Sequence, residues 1–190
     1  LRRMTTWPGI SSTSRTNNKG GAVLVIHPLR LIYIRVPKTA STSFVNTLDE
    51  LDPQHLGDVH GNACEVDHLM RKGHVPKDYK KVGAIRHPYR WMQSAFNHHR
   101  NNPDMFNVEA VNIKQFIRAV RATPMDWLSL DGELYVDEVW RAEDMDDIVL
   151  SLGLEPRRMN VKTYDYPLDD DDKNLINERC SREMAYYVNH

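Results

Sequence analysis

The feature that most constrains this chain is a short apolar run that stops at a proline and opens into a stretch of hydroxyl side chains. Leu31-Ile32-Tyr33-Ile34-Arg35-Val36 is β-branched and aromatic and ends at Pro37, which predicts a strand, with Ala22 to Ile26 as a candidate hairpin partner. After the polar stretch Lys38 to Thr42, Ser43 to Leu51 carries Phe44, Val45 and Leu48 at helical spacing, so the segment reads strand, loop, helix. The pattern recurs. Lys81-Val82-Gly83-Ala84-Ile85 is a second buried-strand candidate, and from about Tyr89 onward Trp91, Met92, Ala95 and Phe96 repeat at helical intervals. Strands alternating with helices predict an α/β fold, in which a central, mostly parallel sheet is flanked by helices.

The remainder fits the same layer. Asn112 is placed to cap a helix carrying Ile113, Phe116, Ile117 and Val120. Asp131-Gly132 marks a turn, Tyr135 to Trp140 a strand, Met145 to Leu152 a helix closed by Gly153, and Leu175 to Val188 a last helix with Ile176, Cys180, Met184 and Tyr187 on one side. A chain of 190 residues, 41% hydrophobic and 27% charged, fits one globular domain. Residues 1–21, rich in Ser, Thr, Asn, Gly and Arg without apolar period, read as a flexible N-terminal arm, which leaves 22–190 as the domain.

A net charge of −1 creates no general field for nucleic acid or an acidic membrane, so anion binding must come from local placement. No apolar run approaches the roughly 18–20 residues of a membrane span. Cys64 and Cys180 are too few for a disulfide framework and read as free thiols. The expected compartment is cytoplasmic, with a targeting segment ahead of Leu1 left open.

The loop Val36-Pro37-Lys38-Thr39-Ala40-Ser41-Thr42-Ser43 gathers backbone N–H groups, hydroxyls and a lysine between a strand and a helix, a combination suited to phosphate. It has no glycines and its lysine opens the turn, so it is not a Walker loop. Here the chain resembles the PAPS-dependent sulfotransferases (PAPS is 3′-phosphoadenosine 5′-phosphosulfate), closest to the carbohydrate 2-O-sulfotransferase group, whose 5′-phosphosulfate loop reads Pro-Lys-Thr-Gly-Gly-Thr-Ser. This chain has Ala40 and Ser41 in place of the two glycines. The resemblance implies that Pro37 and Lys38 to Ser43 form the donor loop, with Lys38 on the oxygen bridging sulfur and phosphorus and Thr39 to Ser43 cradling the 5′-phosphate.

Arg86-His87-Pro88-Tyr89-Arg90-Trp91-Met92-Gln93-Ser94 follows the second strand directly, so Arg86 is expected at the carboxyl edge of the sheet, beside Lys38. A guanidinium with a nearby hydroxyl can grip a phosphate through several charge-assisted hydrogen bonds. The family's 3′-phosphate motif is similar: Arg-Asp-Pro, two residues, Arg, two residues, Ser. It maps onto Arg86, Arg90 and Ser94, with His87 standing where the family has Asp. The implied fold is the P-loop-like sulfotransferase fold. The implied reaction is in-line transfer of the sulfuryl group to an acceptor hydroxyl or amine, leaving 3′,5′-adenosine bisphosphate and requiring no metal.

An alcohol acceptor needs a base, and histidine is the side chain most readily poised for that near neutral pH. The family carries a His-Gly-His segment between its two motifs; Asp58-Val59-His60-Gly61-Asn62 is the nearest match, making His60 the candidate, with Glu65 or Asp67 as alternatives. His60, Cys64 and His68 recur at every fourth position but lack the rest of a zinc set. Glu143 reads as a structural partner, and the run Asp169 to Asp172 as a solvated lead into a helix. Arg157, Arg158 and Lys162 are candidates for holding the nucleotide or an anionic acceptor. The acceptor expected from the resemblance is a small molecule or carbohydrate. Two other functions stay open: a non-catalytic nucleotide-binding module of the same fold, and a nucleotide-dependent phosphotransferase.

Overall fold

A computed structural model describes residues 23–57, 61–157 and 166–190, so the arm predicted over 1–21 lies outside the described residues. In chain order the main elements are β1 (Val23–Ile26), β2 (Leu31–Ile34), α1 (Ser41–Thr47), β3 (Gln54–Leu56), α2 (Ala63–Arg71), β4 (Lys80–Ile85) and α3 (Pro88–Asn101). There follow α4 (Ile113–Ala119), α5 (Pro124–Trp127), β5 (Ser129–Leu130), β6 (Glu133–Leu134), β7 (Glu138–Arg141), α6 (Met145–Ser151), α7 (Asp170–Arg179) and α8 (Ser181–Asn189).

The fold is α/β, with one five-stranded sheet in the order β3-β1-β2-β4-β7 and a separate β5–β6 hairpin around Asp131-Gly132. The large sheet is mixed rather than mostly parallel. β2 pairs with β4, and β4 with β7, in parallel, whereas β1 pairs antiparallel with both β2 and β3. The physical reason is the short link between β1 and β2. His27–Leu29 forms a single 3-10 turn that ends on Arg30 in the left-handed region, and so few residues can return the chain only as an antiparallel neighbour.

Period-two alternation then builds a core on each face of the sheet. Leu24, Ile26, Tyr33, Val82, Ala84 and Trp140 pack with Phe44, Val45 and Leu48 from α1 and its extension and with Met145 and Val149 of α6. Val23, Val25, Ile32, Ile34, Ile85 and Val139 pack on the other side with Val66 and Met70 of α2, Met125 of α5, and Leu128. A third cluster joins α3, α4 and α7 through Trp91, Phe96, Phe116, Ile117 and Ile176.

Helix starts follow the sequence signals. Asn62, Asn112 and Asp169 each accept a backbone N–H three residues on, from Glu65 (3.0 Å), Gln115 (2.9 Å) and Asp172 (2.7 Å). Two expectations change. The strand expected from Tyr135 starts at Glu138, because Tyr135 donates its N–H to Leu128 instead of joining the ladder. The last helix breaks at Cys180 into α7 and α8, since the stripe expected on one side serves two cores: Ile176 and Cys180 pack against α3 and α4, and Tyr187 against the sheet.

Gly83 marks a close approach of a side chain to the sheet. A Cβ there would lie 2.2 Å from Cδ2 of Leu128, whose side chain is wholly buried, so something must shift to admit it. Gly83→Ala is therefore expected to destabilise by roughly 1–3 kcal/mol, as overpacking does. Adding Leu128→Ala should restore part of the difference from that single variant's own background; urea unfolding of the two singles and the double is the check.

Candidate functional site

Parallel strands deliver their carboxyl ends to one edge. Ile34 of β2 lies opposite Gly83, and Ile85 of β4 opposite Arg141 of β7, so the loops after β2 and β4 leave the sheet side by side. The two motifs thus meet at one edge. They also touch: the indole Nε1–H of Trp91, buried on the first turn of α3, donates to the carbonyl of Pro37 at 3.0 Å.

In the first loop φ is positive at Lys38 (65°) and Ala40 (61°) and at neither Thr39 nor Ser41. Alternation of φ sign along a loop is the pattern by which successive backbone N–H groups can form an anion-binding nest. Thr39 is fully buried and its Oγ1 donates to Val36 O at 3.0 Å, so its side chain secures the turn and only its main chain can face an anion. Pro37 and Ser41 are also buried, Lys38, Ala40 and Ser43 are half-buried, and Thr42 is exposed. Position 40, where the resembled loop has glycine, is one that glycine would occupy without strain.

Beneath the loop lie two groups that the sequence reading did not single out. Arg35 is 6% exposed, and burial lowers its pKa while Tyr33 partly offsets this; a guanidinium nonetheless stays charged. Burial pushes the Tyr33 phenol well above its ordinary value, against the opposing effects of Arg35 and Thr39.

In the second motif Arg86 is half-buried at the end of β4, Ser94 is buried, and Arg90 is exposed at the margin. The backbone N–H of His87 donates to Glu143 Oε1 (3.1 Å), and the Tyr187 hydroxyl donates to Glu143 Oε2 (2.5 Å). Glu143 is a structural partner here, as the sequence suggested. His87 has its pKa lowered, first by burial, with Arg90 adding to this and Glu143 opposing it.

Further along α3, Trp91, Ser94 and His98 fall at i, i+3 and i+7, one helical stripe. His98 is half-buried, and burial followed by the charge of Lys38 holds its pKa below the usual histidine value. Nothing local in the sequence connects Lys38 with His98, which lie 60 positions apart and are related only by the fold of α3 over the loop.

Other candidates fall elsewhere. His60 lies outside the described residues, as do Arg158 and Lys162. Asp67 pairs with Arg71 on α2, and Cys64 and His68 are exposed. Arg157 donates its N–H to Thr47 Oγ1 (3.1 Å) at the C-terminal end of α1, about 9 Å along that helix from the loop. Asp169 caps α7, while Asp170 and Asp171 pair with Lys173 and Lys114. The cleft between α4 and α7, lined by Lys114, Arg118, Asp171 and Glu178, contains no motif residue. Among the described residues no group of three or more His, Cys, Asp or Glu is arranged to hold a metal, and no helix is long and apolar enough to cross a membrane.

No protein-family model, curated protein or solved structure matches the chain.

The positive φ at Ala40 yields a direct expectation. A left-handed L-residue costs roughly 1–2 kcal/mol, and glycine's extra unfolded-state freedom returns roughly 0.4–1 of that. Ala40→Gly should thus be neutral to stabilising by up to about 1 kcal/mol; a loss of that size in urea unfolding would contradict the loop conformation.

Proposed function

We propose that the chain is a sulfotransferase that moves a sulfuryl group from PAPS to an acceptor hydroxyl or amine, within a fold of the P-loop-like sulfotransferase kind. The observation that carries this reading is the meeting of the two motif loops at one sheet edge, tied by the Trp91–Pro37 hydrogen bond. A 5′-phosphosulfate fits the nest at Lys38 to Ser41, and a 3′-phosphate fits Arg86 with Ser94, Arg90 adding charge from the rim.

Each group then has a role. The acceptor oxygen attacks sulfur in line, the bond from sulfur to the bridging oxygen breaks, and 3′,5′-adenosine bisphosphate leaves. Lys38 neutralises the charge that collects on that bridging oxygen. The acceptor proton passes to a base. His60 is the base that the family resemblance suggests; His98 is a second candidate, favoured by its place on the Trp91–Ser94 stripe and by a pKa held below the usual histidine value, first by burial and then by the charge of Lys38. The acceptor is proposed to be a carbohydrate on resemblance alone.

Calorimetric titration of 3′,5′-adenosine bisphosphate tests the donor site, with ATP as comparison. Arg86→Ala is expected to weaken binding by about 10–100-fold, the worth of a charge-assisted phosphate contact of roughly 1.5–3 kcal/mol, and Lys38→Ala to weaken it less. A folded wild-type protein that ignores the bisphosphate, or prefers magnesium-ATP, would sink the reading. Binding without transfer to any acceptor would favour a non-catalytic module.

The link between His98 and Lys38 has its own test. Removing a nearby positive charge makes the imidazolium easier to form, so Lys38→Met should raise the His98 pKa. An NMR titration of the histidine ring signals reads this directly, and an unmoved His98 would remove it as a candidate.

A further inference from the structure

We propose that Tyr187 of α8, acting through Glu143, is a positioning residue for the 3′-phosphate side of the site, so that the C-terminal helix takes part in donor recognition. This inference rests on the sulfotransferase reading above. Arg86 has no carboxylate clamp among the described residues; what fixes its direction is the backbone on either side of it. Glu143 holds the far side, and Tyr187 holds Glu143 while lying against the near side.

On the far side, Glu143 Oε1 accepts the N–H of His87 at 3.1 Å. On the near side, the Tyr187 hydroxyl lies 3.4 Å from the carbonyl oxygen of Ile85. That hydroxyl has one proton, and the 2.5 Å contact to Glu143 Oε2 claims it. The carboxylate thus accepts one donor on each oxygen, and the His87 ring is packed edge-on between Tyr89 (5.2 Å) and Tyr187 (5.3 Å).

The arrangement also answers the substitution of His87 for the family's aspartate. An aspartate at that position is a good cap for a helix start, whereas the His87 side chain makes no capping hydrogen bond. Glu143, in the 3-10 turn Ala142–Asp144 that follows β7, instead brings a carboxylate to the His87 N–H from a different element. Tyr187 holds that carboxylate in place. Burial and the charge of Glu143 push the phenol far above its usual pKa, so the donor stays protonated throughout the working range.

The device favours a ligand with a phosphate at the Arg86 corner over one without it, which makes the nucleotide's 3′-phosphate the measurable quantity. Calorimetry with 3′,5′-adenosine bisphosphate and with adenosine 5′-monophosphate, on wild type, Tyr187→Phe, Glu143→Gln, Arg86→Ala and the Tyr187→Phe/Arg86→Ala double variant, reads it, with melting curves to confirm folding. Tyr187→Phe should lower bisphosphate affinity by about 3–10-fold and leave the monophosphate within about twofold, as the loss of one positioning hydrogen bond implies. Glu143→Gln, which keeps an acceptor for His87 but loses the charge, should fall between wild type and Tyr187→Phe. The double variant should bind no more weakly than Arg86→Ala alone, because the tyrosine acts through that arginine.

An unchanged bisphosphate affinity in Tyr187→Phe, an equal loss for both nucleotides, or full additivity with Arg86→Ala would each overturn the inference while leaving the donor site standing. A wild-type protein that binds neither nucleotide would instead overturn the donor-site reading and this inference with it.

Discussion

The parallel pairing of β2 with β4 is the constraint on which the rest depends. Its register sets Ile34 against Gly83, and from that single alignment follow the exit of both loops at one edge and the approach of α3 to Pro37. A slip of one residue would turn Ile32 and Ile34 away from their core and send Tyr33 out of its ring contacts with Phe44 and Trp140. Gly83 helps to fix the alignment, since it is the one strand position of β4 whose bare backbone admits Leu128.

Register alone would leave the first loop free to relax. Two of its residues, Lys38 and Ala40, sit in a backbone region unfavourable to any side chain, and such conformations persist only where the surroundings over-determine them. Three hydrogen bonds do this: Thr39 Oγ1 to Val36 O, Trp91 Nε1 to Pro37 O, and Phe44 N to Ala40 O. The last of these starts α1, so helix and loop are formed by the same bond. A loop shaped before any ligand arrives spares the ligand the cost of ordering it.

The units carrying this site were legible because each has a local signature. Strand composition followed by Pro37, and a buried run ending at Arg86, needed no tertiary information, and Asn112 and Gly153 punctuated helices where expected. What was not legible depends on contacts far apart in sequence. The antiparallel β1–β3 pairing rests on Gln54–Leu56, a three-residue strand too short for a periodic signal. The break at Cys180 reflects two packing surfaces rather than any breaker residue, and Trp91, read only as an apolar position, turned out to matter for its one polar atom. The links from Lys38 to His98 and from Glu143 to Tyr187 belong to this class as well.

Charge placement completes the logic that a net charge of −1 conceals. At the amino edge of the parallel strands the charges cancel in pairs: Arg30 with Asp78, Lys80 with Glu138, and Lys81 with Asp137. Arg35 and Lys38 follow β2 and Arg86 follows β4 at the carboxyl edge, where Arg141 is matched by Asp144 (2.5 Å). The one acid drawn into the second motif, Glu143, is held by two neutral donors, a backbone N–H and a phenol, so its carboxylate is satisfied without taking up Arg86. Basic side chains therefore stand at both edges of the sheet, in ion pairs at the amino edge and around the two motif loops at the carboxyl edge. Basic groups placed close to a low-dielectric core act on an anion more strongly than the same groups spread over the surface.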